Sequence, residues 1–124
     1  MRAIRPAFSL AYSPAFALAQ QPAAAPPAAP ADVRSLDAIV AALYDVISGG
    51  KGEPRSWDRF RSLFVPGARL IPTGVSREGV VRHSMMTPEE YVTRVGPALE
   101  RDGFFEREIH RETDTFGNIT QLFS

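Results

Sequence analysis

Residues 35–124 predict an α+β domain in which helices pack on one face of a curved, mainly antiparallel sheet. Three observations carry this. Apolar residues recur at three- and four-residue steps over two N-terminal segments, Thr87-Pro-Glu-Glu90 opens a third helix, and the final stretch alternates around a tight turn. The order is helix, helix, strand, strand, helix, hairpin.

Leu36, Ile39, Val40, Leu43, Tyr44 and Ile47 form the stripe of the first helix. Ser35 is suited to cap it, Asp37 favours its positive end, and Gly49-Gly50 stops it. Lys51 to Arg55 reads as a polar loop. A short second helix starts at Ser56, with Trp57, Phe60, Leu63 and Phe64 on one face, and Pro66-Gly67 ends it. Ala68 to Pro72 and Gly79 to Met86 read as neighbouring strands joined by a turn over Thr73 to Glu78.

Thr87 is placed to cap the third helix, with Pro88 at its first position and Glu90 in the capping-box place. Tyr91, Val92, Val95 and Leu99 are its buried stripe. Pro97 removes a backbone donor and must kink or shorten it, and Asp102-Gly103 closes it. Phe104 to Thr113 alternates as a long strand, Asp114-Thr-Phe-Gly117 turns, and Asn118 to Ser124 returns as its partner.

Ahead of this domain lie two segments of different character. Residues 1–19 have the layout of a secretory signal: a basic start with Arg2 and Arg5, a mildly apolar stretch, and Ala17-Leu-Ala19 as a cleavage site. The expected location is therefore periplasmic or secreted. Residues 20–32 are rich in Ala and Pro and are expected to form an extended spacer, leaving residues 33–124 as the folded domain.

Composition excludes several classes. The 14 basic and 14 acidic residues cancel, and without residues 1–19 the balance is 12 against 14, about −2. A slightly acidic, interleaved surface does not attract a phosphate backbone, so no nucleic-acid partner is expected. The chain has no cysteine, which removes disulfides, thiolate metal sites and cysteine nucleophiles together. No apolar run approaches the roughly 20 residues that span a bilayer.

The stretch Trp57-Asp-Arg-Phe60-Arg-Ser-Leu-Phe64, followed by Pro66-Gly-Ala-Arg-Leu70, resembles the nuclear transport factor 2-like superfamily, which includes the SnoaL-like and ketosteroid isomerase-like proteins. Its members often carry W-x-x-F-x-x-L-F-x-P-x-A-x-L where the second helix turns into the first strand. Phe104 to Glu108 and Phe116 to Ile119 also look like bacterial members of unassigned function. The resemblance implies a cone with three helices on the sheet and a small apolar ligand held between them. It also implies a homodimer packed through the sheet. Two closing strands of that cone have no counterpart after the hairpin, so a truncated domain is the corresponding expectation.

Tyr44, Trp57 and Phe60 fit the lining of such a pocket, although aromatic stripes at helical spacing are more often plain core. The resemblance gives Tyr44 an oxyanion-donor role, as in a ketosteroid isomerase-like site. A base would come from the strand that follows. Phe104, Glu106, Glu108, His110 and Glu112 share one face by period two, which makes the His110 imidazole a candidate base, with Glu106 or Glu108 to orient it or to act as base itself. The catalytic candidates are thus Tyr44, His110 and Glu108. Charges on both faces of that strand favour the plainer reading, cross-strand ion pairs on an exposed or dimer-facing surface. His83 is a lone strand histidine, better read as structural. No metal-ligand spacing, nucleophile elbow or phosphate loop occurs, and no cofactor is expected.

The sequence therefore predicts a small-molecule-binding module. A cofactor-free isomerase or lyase is the alternative from another class, and a fragment without function is the third.

Overall fold

The computed structural model describes residues 24–124. Among these the order is α1 Pro30–Val33, α2 Leu36–Ile47, α3 Trp57–Ser62, β1 Thr73–Val75, β2 Val81–His83, α4 Pro88–Arg94, α5 Gly96–Asp102, β3 Glu112–Phe116 and β4 Ile119–Phe123. The class is α+β. The signal segment expected over residues 1–19 lies outside the described residues.

The helix starts follow their caps. Ser35 accepts the Ala38 N–H ahead of α2, and Thr87 with Glu90 forms a complete capping box ahead of α4. Five helices stand where three were expected. One is α1, formed within the expected spacer and tied down by Asp32, whose carboxylate takes two hydrogen bonds from Arg59 of α3. Another arises because the third predicted helix breaks at Val95 into α4 and α5, where Gly96-Pro97 interrupts the backbone ladder.

The sheet departs further from expectation. Instead of one curved layer there are two separate antiparallel pairs, β1 with β2 and β3 with β4. The first hairpin runs on to an isolated bridge between Leu70 and Met86 in the same register, but Pro72 has no N–H to extend the ladder between them. The strand expected at Ala68 to Pro72 is thus reduced to that bridge. The long strand expected from Phe104 to Thr113 is absent over 105–111 and begins only at Glu112. No strand pairs with 105–111 among the described residues, so alternation there had nothing to pair against. The second turn also shifts: Gly117-Asn118 links β3 to β4 with Gly117 at φ 58°, the two-residue pattern of a type II′ hairpin.

The core lies among the helices. Val46, Ile47, Phe60 and Leu99 form its buried centre, with Leu43, Trp57, Leu63, Phe64, Tyr91 and Phe104 packed around them. Phe60, 1% exposed, stacks on Tyr91 with ring centroids 5.2 Å apart and meets the edge of Trp57 at 5.8 Å. All four strands are solvent-exposed apart from the half-buried Leu122.

Beneath the end of α2 sits a cation. Arg55, 8% exposed, donates from Nε to the Ile47 carbonyl at 3.1 Å and from Nη1 to Glu53 at 2.6 Å. Its Nη2 donates to the carbonyls of Gly49 at 2.7 Å and Leu99 at 3.1 Å. The guanidinium thereby bridges the last carbonyl of α2 to the Leu99 carbonyl of α5, adding to the bonds that the Gly49 and Leu99 carbonyls already accept from the Phe104 and Gly103 N–H groups.

Candidate ligand pocket

A half-open cavity of about 270 Å³ lies between the helices and the segment that follows α5. Its walls are Leu43, Tyr44 and Ile47 from α2, Phe60 from α3, Leu70 from the first hairpin, Tyr91 from α4, and Glu106. The α2 residues reach it because they sit within one turn on the stripe facing the core. Leu70 is fixed there by paired backbone bonds with Met86, at 2.8 and 2.9 Å.

Glu106 is held by its backbone. Gly49 and Phe104 exchange N–H to carbonyl bonds at 2.7 and 3.0 Å, which lays the chain after α5 against the end of α2. The Ser48 hydroxyl then accepts the Glu106 N–H at 3.0 Å and donates to its carbonyl at 3.3 Å. Gly103 makes the approach feasible: its φ is 76°, and a Cβ there would meet the Lys51 nitrogen at 2.9 Å.

Tyr44 shares a 2.5 Å hydrogen bond with the Ser124 hydroxyl, which ties the second hairpin to the pocket wall. Burial first, and then the facing Glu106 carboxylate, push the Tyr91 hydroxyl above its ordinary pKa. Tyr91 is therefore a neutral hydrogen-bonding group at physiological pH.

The residues singled out in the sequence are divided by the fold. Tyr44 and Phe60 line the cavity, whereas Trp57 does not. The Trp57 indole donates to Glu100 at 2.8 Å and its ring fills the space over Gly96. Because residues 105–111 are not a strand, the face expected to gather Glu106, Glu108 and His110 does not form. His110 is exposed, 3.4 Å from Glu112. Glu108 accepts from Arg111, which holds its carboxyl below the usual range, and Arg111 also reaches Asp37 on α2. His83 is exposed on β2. Among the described residues no three His, Cys, Asp or Glu side chains converge as a metal site.

Two wall positions were not legible from the pattern. Tyr91 read as part of a core stripe, and only the position of α4 turns it toward the cavity. Leu70 read as a strand residue, and only its bridge to Met86 brings it to the wall.

Comparison with family models, curated proteins and solved structures finds no match to this chain.

Proposed function

We propose that the chain is a small-molecule-binding module of the nuclear transport factor 2-like type, with an apolar ligand seated between α2, α3 and α4. The observation that carries this reading is the cavity itself. Four aliphatic or aromatic side chains make its floor and sides, while two tyrosines and one carboxylate supply a few polar groups, the usual balance of a ligand site. Export to the periplasm or beyond, and homodimerisation through the hairpins, belong to the same proposal. Val75, Val81, Phe116, Ile119 and Phe123 are all exposed on those hairpins, which supports an association surface.

The isomerase or lyase alternative rested on Tyr44 acting with His110 or a neighbouring glutamate. It loses its geometric motive for His110 and Glu108, one being exposed and the other held by Arg111. Of the acids on that segment, Glu106 alone lines the cavity with Tyr44.

The test is a fragment screen of apolar compounds against the full chain, followed by protein-observed NMR. Hits should shift resonances of Tyr44, Tyr91 and Leu70 together and should lose binding in Leu43→Trp, which fills the cavity. A screen whose hits bind Leu43→Trp undiminished would overturn the pocket. Light scattering on the same sample should give twice the chain mass, and a monomer at all concentrations would sink the dimer.

A further inference from the structure

The cavity's charge is one-sided. Glu106 is the one carboxylate on its wall, which carries no Lys, Arg or His, and the residue is solvent-exposed. Many other carboxylates are engaged: Arg59, Arg61, Arg94, Arg101 and Arg111 each hold at least one. Arg55 spends its donors on carbonyls. Among the described residues none of these cations reaches Glu106, and its carboxylate takes no hydrogen bond there.

Ligand classes respond differently to such a wall. An anion is repelled by Glu106. A neutral apolar body gains nothing from the carboxylate. A cation with an apolar body satisfies both halves of the site: its charge meets Glu106, while Leu43, Ile47, Leu70 and the two tyrosines supply apolar and aromatic area to the rest. Phe60, buried behind Tyr91 and stacked on it, holds that tyrosine ring in place before any ligand arrives.

We propose that this cavity takes an organic cation, a protonated amine or quaternary ammonium on a small apolar body, with Glu106 as its counter-charge. The proposal rests on the ligand-pocket reading above and names the ligand class for it. The half-open mouth suits a charged head that keeps part of its hydration while the apolar body enters.

The experiment uses the full chain and a matched pair of probes, benzyltrimethylammonium and its neutral isostere neopentylbenzene, titrated by NMR. The cation should bind about tenfold more tightly than the isostere. Glu106→Gln should erase that preference while leaving isostere binding in place, which also shows that the variant is folded. Added salt should weaken the cation alone. Equal affinity for both probes, or a preference that survives Glu106→Gln, overturns the cation assignment. If both probes lose binding in Leu43→Trp in that case, the pocket reading still stands. If neither probe binds yet screened apolar compounds do so in a Leu43→Trp-sensitive way, the cation assignment alone falls. If nothing binds in that way, both fall.

Discussion

Arg55 ties the ends of two helices together through one side chain. Its guanidinium is buried on four carbonyls, and a buried charge is tolerable only when its donors are so matched. The negative ends of α2 and α5 converge on it, which adds favourable dipole interaction. Arg55→Met should cost about 2 kcal/mol in urea unfolding, because the buried Ile47 carbonyl loses its donor and the side-chain link between α2 and α5 is cut. Arg55→Lys should recover only part, since one ammonium cannot span carbonyls on both helices. Next to it, Glu100 accepts the Arg55 N–H at 3.0 Å and the Trp57 indole at 2.8 Å, and these two bonds hold its carboxyl below the usual range. A depressed folded value means a contribution fully present above the ordinary glutamate value of 4.5. That contribution disappears as pH falls through the folded value. The melting temperature should therefore drop on acidification below that point, and the drop should be smaller in Glu100→Gln. None of this was legible in the sequence. Arg55 stands in a Gly- and Lys-containing loop with no periodicity, and nothing in a polar loop marks the side chain that folds back under a helix end.

Helices and strands differ in how well they were foretold, and the difference is physical. Ser35 and Thr87 cap through their own side chains, a local interaction that the sequence states outright. Thr87→Ala should cost about 1 kcal/mol in thermal or urea unfolding. Ser56 offers a control: it precedes α3 but makes no side-chain cap bond, so Ser56→Ala should change stability by less than about 0.5 kcal/mol. Equal losses at both positions would contradict the capping geometry. The break between α4 and α5 was legible at Pro97 for the same local reason. Strands depend on a partner supplied from elsewhere in the chain. Residues 105–111 alternate as a strand should, but what holds them is Ser48 on the Glu106 backbone and Arg111 reaching α2. Neither partner is visible in a period-two pattern.

For the molecule as a whole, stability is concentrated in the helical core and is thin in the hairpins. Phe60→Ala should cost about 3 to 5 kcal/mol, since it empties the centre against which Trp57, Phe64 and Tyr91 pack. Phe116→Ala, at a position 89% exposed, should leave the monomer's stability within about 0.5 kcal/mol. Hydrogen exchange should read the same division, with slow amides in α2 and α5 and fast ones in β1 to β4. Slow exchange across both hairpins would mean that another surface covers them. The α+β order was recoverable from periodicity, capping and turn residues. The pocket was recoverable only in part: Tyr44 and Phe60 stood out as aromatics, whereas Glu106 reached the wall through Gly103 and the pairing of Gly49 with Phe104.

That pairing also dictates when the chain can fold. Residues of α2 and α3 leave the ribosome with Ile47 and Phe60 already in place, but Tyr91, Leu99 and Phe104, which cover them, follow much later. Arg55 likewise waits for the Leu99 carbonyl before its donors are matched. Contacts this distant in sequence must close loops before they reward closure, which delays the productive collapse. Until Phe104 has emerged, its bridge to Gly49 cannot form and the end of α2 stays unlatched.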